Sequence, residues 1–376
     1  MIYRFVEKEI LRKLRPGTVV CLLGARRTGK TVLMKMVRER LAGRKVLMVQ
    51  GDNLDVRELL SSPRAGALQR LVKGYDALFI DEAQAIPGIG QSLKVLVDTV
   101  PRVRVFITGS SSLDLKSSVG EPLVGRGSFL HLYPVSQLEL ARDEHLLQTK
   151  EALEERLLYG AYPEVLTAGA YRGKRELLTA IRDGYLLKDI LALENLKDSL
   201  FVFNLLRMLA FQIGRDVSCA ELAGNLNVHS KTVRRYLELL EKTFVIFSLS
   251  GFSRNLRKEY TKSPRYFFWD NGIRNVLISN FNPLNMRDDT GPLWENYCIA
   301  ERLKKTRYQR TACTHFFWRS YDQKEIDLLE ERQGRLFGYE MKWRDRKTRV
   351  PKAFLAAYPE ARCEIITPEH YLDFIA

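Results

Sequence analysis

A glycine-rich segment near the start of the chain has the spacing of a phosphate-binding loop. Its sequence, GARRTGKT, runs from Gly24 to Thr31 and matches the pattern G-x-x-x-x-G-K-[ST]. The backbone N–H groups of such a loop and the positive end of the following helix surround phosphate oxygens. Lys30 is expected to reach the β- and γ-phosphates of ATP, and the Thr31 hydroxyl to bind Mg²⁺. The predicted nucleotide-binding residues of the loop are Gly24, Arg27, Thr28, Gly29, Lys30 and Thr31.

Two adjacent acids follow a second apolar run. Ala77 to Ile80 is predicted to be a buried strand, and Asp81 and Glu82 come directly after it. Asp81 is expected to hold Mg²⁺ through water, and Glu82 to polarise the water that attacks the γ-phosphate. Acidic pairs are also common at ordinary strand ends, but a position about fifty residues after a P-loop favours the catalytic interpretation.

A third apolar run, VRVFITGSSS, ends in hydroxyl side chains. Ligands gather at the carboxyl ends of parallel strands, so Thr108, Ser110 or Ser111 is expected near the γ-phosphate, with Ser110 as our candidate. Ordinary loop chemistry explains these hydroxyls equally well. Further along, VGRGS places Arg126 between two glycines. We interpret Arg126 either as an arginine finger, acting in cis or on a neighbouring subunit, or as a solvated arginine.

The elements that must position these residues form an α/β pattern. Residues 18–23 are short, β-branched and apolar, as in a buried strand, and residues 31–41 have helical spacing. With the strands before Asp81 and Ser110, this predicts a parallel sheet whose carboxyl edge carries the site. After Glu139 the strand pattern stops, and residues 148–240 are predicted to be helical.

Four segments together resemble one family. The segments CLLGARRTGKT, LFIDEAQ, FITGSSS and LVGRGSFLHLYPVSQLEL are similar to those of AAA-type ATPases that carry a C-terminal DUF4143 domain, a bacterial and archaeal family. The similarity continues into GAYPEVL and LLKDIL and covers most of the chain. The resemblance implies a P-loop AAA-type fold and a nucleotide-dependent switch or a DNA-associated ATPase.

Composition narrows the class of partner. The 60 Lys and Arg residues exceed the 45 acids, which gives a net charge of +15. This favours nucleic acid as a partner, although a basic surface without a partner has the same composition. No apolar stretch is long enough for a membrane span, and the N-terminus lacks a signal-peptide pattern. The five cysteines form no C-x-x-C pair, so we expect reduced thiols and a cytoplasmic location.

The middle of the chain contains a helix-turn-helix pattern. Ser218 with Glu221 predicts a capping box before a short helix, and Ser230 is expected to cap a second helix that ends at Lys242. Two strands then flank a basic loop, as in a winged helix. The unit is expected either to bind DNA or to serve as a packing or oligomerisation module. The candidate DNA contacts are Lys231, Arg234 and Arg235 on the helix and Arg254, Arg257, Lys258 and Lys262 on the wing.

A second candidate site lies in the last third of the chain. Glu295 falls in a segment predicted to be an amphipathic helix, and Asp327 falls in the segment KEIDLLEE. Glu340 and Lys342 are predicted to lie on one face of a strand that follows. This order resembles the PD-(D/E)-x-K nuclease core, although Ile326 replaces the proline before Asp327. Asp327 and Glu340 are candidates for a divalent cation, and Lys342 for orienting water. The alternative is the same fold used without cleavage.

The predicted organisation has four parts. They are an ATPase domain at residues 1–145, a helical region at 146–205, a winged helix at 206–275 and a nuclease-like domain at 285–376. The leading functional interpretation is a Mg²⁺-dependent ATPase that controls the engagement of DNA. The alternative is an ATP-gated scaffold for a protein partner, and assembly into a homo-oligomer is compatible with both.

Overall fold

The computed structural model describes residues 2–110, 119–120, 123–186, 199–253, 263–320, 322–344 and 350–376. The chain divides into two compact units. The N-terminal unit contains residues 4–134 and 242–244, and the C-terminal unit contains residues 1–3, 135–241 and 245–376. The first boundary therefore lies about ten residues earlier than the predicted one, since Val135 already pairs with Ala161 of the C-terminal unit.

The N-terminal unit is built on a five-stranded parallel sheet with the strand order β2-β3-β4-β1-β5. The interior strands β1 and β3, which flank the central strand β4, are buried throughout, as their apolar sequences require. The strands are β1 (Val19–Leu23), β2 (Val46–Gln50), β3 (Ala77–Asp81), β4 (Arg104–Gly109) and β5 (Gly127–His131). The helices are α1 (Val6–Lys13), α2 (Lys30–Arg40), α3 (Leu54–Ser61), α4 (Ala65–Leu71) and α5 (Ile89–Thr99).

This strand order positions the site. Strand β4 lies between β1 and β3, and all three run in the same direction. The P-loop after β1, the acids at the end of β3 and the hydroxyls at the end of β4 therefore meet at one edge of the sheet. Phe79 and Phe106 pack edge to face, with 5.2 Å between their ring centroids, and join β3 to β4 beneath that edge.

The C-terminal unit begins with helices, as the sequence predicts for residues 148–240. The helices before the second sheet are α6 (Gln137–Leu140), α7 (Leu146–Glu151), α8 (Leu153–Tyr159), α9 (Pro163–Thr167), α10 (Tyr171–Ile181), α11 (Ser199–Phe211), α12 (Cys219–Leu226) and α13 (Ser230–Lys242). Residues 182–186 continue α10 as one turn of π-helix. None of the described helices is long and apolar enough to cross a bilayer.

A six-stranded mixed sheet completes the C-terminal unit, with the order β11-β10-β9-β8-β6-β7. Its strands are β6 (Ile246–Gly251), β7 (Arg265–Phe268), β8 (Thr314–Arg319), β9 (Glu325–Arg332), β10 (Arg335–Met341) and β11 (Arg362–Ile366). The remaining helices are α14 (Asn271–Leu277), α15 (Thr290–Tyr308), α16 (Lys352–Ala357) and α17 (Tyr371–Ile375).

Two sequence predictions need correction here. The predicted winged helix at residues 206–275 and the predicted nuclease-like domain at residues 285–376 share one sheet, because Ser250 of β6 pairs with Phe316 of β8 in parallel. Helix α15 is not amphipathic, because it is buried on most sides and its Trp294 is fully enclosed. Some of its charged side chains are buried as ion pairs, such as Glu301 with Lys304 at 2.7 Å.

Candidate functional site

The P-loop connects β1 to α2 through a tightly packed turn. Gly24 has no room for a side chain, because a Cβ there would lie 2.2 Å from the carbonyl oxygen of Leu132. Gly29, with φ 95°, takes a left-handed conformation that glycine adopts without strain. Lys30 is 4% exposed, and its Nζ donates to the carbonyl oxygens of Gly24 (2.9 Å) and Ala25 (3.0 Å). The ammonium group is therefore held over the mouth of the loop.

Two further loop residues behave differently from each other. Thr28 is fully buried, and its hydroxyl donates to the carbonyl oxygen of Ala25 at 2.8 Å. Any contact of Thr28 with phosphate would therefore come from its backbone N–H. Arg27 is half-buried and has a φ of 61°, so left-handed residues lie on both sides of Thr28 and turn the backbone around it.

Asp81 is the centre of the hydrogen-bond network at this edge. The Thr31 hydroxyl donates to Asp81 Oδ2 at 2.6 Å, and the Thr108 hydroxyl donates to Asp81 Oδ1. The Asp81 carboxylate is 2% exposed and lies between the start of α2 and the end of β4. A hydroxyl beside a carboxylate supplies the oxygen ligands that Mg²⁺ prefers, so Thr31 and Asp81 fit this ion.

Glu82 and Ser110 are brought together by a glutamine that the sequence analysis missed. Gln84 Nε2 donates to Glu82 Oε2 and, at 3.2 Å, to Ser110 Oγ. Glu82 itself has a left-handed backbone with φ 52°, a strained conformation for a non-glycine residue and one that is common in functional sites. Gly51 accommodates this turn, because a Cβ there would lie 2.5 Å from the Glu82 carbonyl oxygen.

A buried arginine supports the P-loop from behind. Arg4 is 4% exposed and donates to the carbonyl oxygens of Thr28 and Tyr133, each at 2.6 Å. It therefore ties the loop to the segment that follows β5. Nothing in the local sequence marks Arg4, because it lies twenty residues before the loop and its partners are backbone atoms.

Arg126 lies at the opposite edge of the sheet from the P-loop of its own subunit. It immediately precedes β5, and Gly127 of that strand pairs with Val19 at the beginning of β1. Its guanidinium forms an ion pair with Asp98. The interpretation of Arg126 as an arginine finger in cis is therefore wrong. Ser111 lies outside the described residues.

The helix-turn-helix residues are present with the predicted spacing. The Ser218 side chain caps α12 by accepting from the Glu221 N–H at 3.3 Å. Asn227, with φ 53°, ends α12 before α13 begins. Lys231, Arg234 and Arg235 are exposed on one side of α13, while its other side is buried. The predicted wing residues Arg254, Arg257, Lys258 and Lys262 lie outside the described residues.

The second predicted site converges on one side of the C-terminal sheet. Leu328 pairs with Tyr339, which places Asp327 and Glu340 beside each other on adjacent strands. Asp327 Oδ2 accepts from the Met341 N–H at 2.8 Å, and Lys342 Nζ lies 2.6 Å from Glu340 Oε1. The fourth member, Glu295 on α15, packs against Gly214, where a Cβ would lie 3.0 Å from its Oε1. We call Glu295, Asp327, Glu340 and Lys342 the acid cluster.

The carboxyl groups of the acid cluster repel one another in a buried setting. Burial and the Asp327 carboxylate raise the pKa of Glu295 well above its usual range. Burial and Glu340 raise the pKa of Asp327 to about 7. Burial also raises the pKa of Glu340, although Lys342 opposes the shift.

The acid cluster fits a divalent cation. Glu295 Oε1 and Glu340 Oε2 are buried and have no hydrogen-bond partner among the described residues. Such carboxylate oxygens are suitable ligands for Mg²⁺ or Mn²⁺, and a cation would relieve both the missing contacts and the mutual repulsion.

Cys313, His315 and Glu330 form another group with metal-ligand chemistry. Glu330 is fully buried, but Arg302 donates to both of its oxygens, at 2.8 and 3.2 Å, and Arg332 donates to one of them. Burial and the surrounding guanidinium groups lower the pKa of His315 to about 3. We interpret this group as a structural network, because its carboxylate is already saturated and its surroundings are cationic.

Family models match both ends of the chain and the region between them. A model described as AAA domain matches residues 16–141, and Domain of unknown function (DUF4143) matches residues 290–371. Domain of unknown function (DUF8612) matches residues 150–284. The resemblance to AAA-type ATPases with a C-terminal DUF4143 domain is therefore confirmed. All residues of the P-loop site except Arg4 lie within the segment that the AAA model matches.

The curated relatives are bacterial and archaeal. An uncharacterized protein of Mycobacterium tuberculosis is 29% identical over 342 residues, which cover 89% of this chain and 72% of the relative. An uncharacterized protein of Methanocaldococcus jannaschii is 23% identical over 355 residues, 87% of this chain and 75% of the relative. Among solved structures, the R170A variant of Thermotoga maritima RuvB is 18% identical and covers 65% of this chain and 89% of its own. Its TM-score of 0.31 is too low to indicate a shared fold.

Proposed function

We propose that this chain, which carries an AAA domain and a C-terminal DUF4143 domain, is a Mg²⁺-dependent ATPase that controls the engagement of DNA. The observation that carries the ATPase proposal is the arrangement at the end of β3 and β4. The Asp81 carboxylate accepts from the hydroxyls of Thr31 and Thr108, beside a P-loop whose Lys30 lies over its mouth.

Each residue of this edge has a proposed role. Lys30 binds the β- and γ-phosphates, and Thr31 and Asp81 hold Mg²⁺, which neutralises phosphate charge when bound. Glu82 orients and deprotonates the attacking water, and Ser110 contacts the γ-phosphate side of the site. Gln84 keeps Glu82 in place by bridging it to Ser110.

Arg126 has a role in this proposal only between subunits. Because it lies at the far edge of its own sheet, an arginine finger at this position requires a neighbouring copy of the chain. A homo-oligomer is therefore part of the proposal if Arg126 is catalytic. A protein whose ATPase activity is independent of its concentration and of Arg126 would exclude that role.

The helix-turn-helix is the proposed DNA contact. Lys231, Arg234 and Arg235 occupy the exposed side of α13, where they can meet phosphates or base edges. The net charge of +15 supports a polyanionic partner. The wing residues Arg257 and Lys258 complete the proposed surface by sequence position alone.

The acid cluster is the proposed divalent cation site of a nuclease-like region at residues 285–376. Asp327 and Glu340, with assistance from Glu295, hold the cation, and Lys342 orients water. The support is the pair of buried carboxylate oxygens, one on Glu295 and one on Glu340, that have no partner among the described residues. Incubation with plasmid and branched DNA in Mn²⁺ tests cleavage, which must disappear in Asp327→Ala if this chain is responsible.

A salt titration of DNA binding tests whether the helix-turn-helix contacts DNA. In the double variant Arg234→Glu/Arg235→Glu, duplex affinity should fall and the slope of log K against log[salt] should become shallower by about 2. The matched control is Arg64→Glu/Arg102→Glu, which makes the same charge change at two exposed arginines of the N-terminal unit.

The same titration is repeated with and without ATP. Wild-type affinity should depend on ATP, and the affinity of Lys30→Ala should not. Equal losses of duplex affinity in the two double variants would show that the helix-turn-helix does not contact the DNA. Absence of duplex binding would favour the scaffold for a protein partner.

A further inference from the structure

Three aromatic rings form a stack in the C-terminal unit. Tyr159, at the end of α8, lies in the middle and stacks on Tyr171 and on Phe281. Both ring-centroid distances are 5.4 Å, and the ring planes differ by 10° and 9°. These are offset-stacked geometries. Tyr159 is 4% exposed, so its two faces are covered by its neighbours.

The two ends of the stack differ. The guanidinium of Arg175 lies 5.4 Å from the ring centroid of Phe281 and closes that end. Tyr171, the first residue of α10, is 61% exposed. The backbone around it is open, because a Cβ at Gly169 or Gly173 would meet nothing within 4 Å. The Tyr171 end therefore has room for another planar group.

The surroundings of Tyr171 are basic rather than apolar. Arg172 and Arg175 are exposed on the same helix, and Arg172 pairs with Glu176 at 2.9 Å between largely exposed side chains. Among the described residues from 148 to 199, Tyr171 is the one large hydrophobic side chain that is exposed. An apolar protein surface would find little to bury here, whereas a planar base attached to phosphates would find both a ring and positive charge.

We propose that the exposed face of Tyr171 is a stacking platform for an unpaired nucleobase of single-stranded nucleic acid, with Arg172 facing the adjoining phosphate. The proposal deepens the nucleic-acid role proposed above and rests on it. It adds a substrate class that the helix-turn-helix does not provide, because a base can reach a ring face only when it is unpaired.

Binding of two single-stranded oligonucleotides tests the platform. One carries ordinary bases, and the other has the same length and phosphates but abasic sites in its central part. Wild-type protein should bind the first more tightly. Tyr171→Ala should weaken binding of the first by roughly 5- to 150-fold, the range that loss of one base stack produces, and should abolish the preference between the two. Tyr171→Phe should keep the preference.

Controls separate this proposal from the function on which it rests. Tyr75→Ala removes another exposed tyrosine, 42% exposed and in the N-terminal unit, and should leave both affinities unchanged. Duplex binding is measured in parallel. The platform alone is overturned if duplex binding depends on Arg234 and Arg235 but single-strand affinity is unchanged by Tyr171→Ala or by removal of the bases. A protein that binds neither duplex nor single-stranded nucleic acid overturns both proposals.

Discussion

The chain contains two carboxylate sites that satisfy their charges in opposite ways. At the edge of the N-terminal sheet, both oxygens of Asp81 accept hydrogen bonds from hydroxyl groups, those of Thr31 and Thr108. In the acid cluster, one oxygen of Glu295 and one of Glu340 have no hydrogen-bond partner among the described residues. Burial and the neighbouring Glu340 carboxylate raise the pKa of Asp327 there to about 7.

The difference shows what each site requires from its ligand. Both oxygens of Asp81 already accept hydrogen bonds within the chain. A nucleotide must therefore bind to the P-loop before Asp81 contributes to ligand binding. The acid cluster is electrostatically incomplete by itself, so a cation would stabilise the fold directly. A divalent cation without nucleotide should therefore stabilise the fold strongly through the acid cluster and only weakly through the Asp81 network.

The matched substitutions Asp81→Asn and Asp327→Asn should change stability in opposite directions. Asp81→Asn replaces two charge-assisted hydrogen bonds with neutral ones, which should cost about 1–3 kcal/mol. Asp327→Asn removes one of several repelling carboxylates and can still accept from the Met341 N–H, so it should stabilise the chain at pH 8. Thermal unfolding in EDTA measures the stability of both variants. Destabilisation by Asp327→Asn as well as by Asp81→Asn would contradict the proposed difference between the two sites.

Manganese without nucleotide should stabilise the chain through the acid cluster. At about 100 times the dissociation constant, one bound ion contributes about 2.7 kcal/mol, which should raise the melting temperature at pH 8. The rise should be lost in Asp327→Asn and kept in Asp81→Asn. A rise that survives Asp327→Asn would place the ion elsewhere.

Raising the pH from 5 to 8 in EDTA should destabilise the wild-type chain relative to Asp327→Asn, a comparison that cancels the opposite contribution of the buried His315. The pKa of Asp327 is about 7 in the folded state against 3.8 normally, so in this window the folded chain keeps a proton that the unfolded chain has lost. Unfolding therefore releases this proton, and the stability contributed by Asp327 falls as the pH rises, by about 2–3 kcal/mol between pH 5 and 8.

Two variants sharpen this pH effect. Asp327→Asn should lose this contribution, so its melting temperature should rise relative to that of the wild type as the pH increases from 5 to 8. Lys342→Met removes the ammonium beside Glu340 and should steepen the dependence of melting temperature on pH. A difference in melting temperature between the wild type and Asp327→Asn that does not change with pH would mean that Asp327 is not protonated in the folded state.

The positions of several candidate site residues in the fold could be predicted from local sequence. The P-loop, Asp81 and Ser110 each directly follow a recognisable apolar strand, and parallel strands bring such ends to one edge. Arg126 was misjudged because its position depends on β5, whose mixed sequence, GSFLH, has no clear strand pattern. A residue that precedes a parallel strand lies at the edge away from the ligand.

Contacts between distant segments could not be predicted. Arg4 binds the carbonyl oxygens of Thr28 and Tyr133, and a backbone acceptor leaves no trace in the sequence. The pairing of β6 with β8 joins Ser250 to Phe316, which lie far apart in the sequence. Local patterns identify strands, whereas the pairing of strands is decided by packing over the whole unit.

Nucleotide binding and hydrolysis in Glu82→Gln test the central claim most directly. Glu82 is held by Gln84 beside the Asp81 network, so the substitution removes the proposed base and leaves the P-loop intact. ATP affinity in Mg²⁺ should stay near the wild-type value, while the hydrolysis rate falls by about 10²–10⁴-fold. Lys30→Ala should instead lose affinity. Hydrolysis by Glu82→Gln at the wild-type rate, with normal ATP binding, would contradict the account.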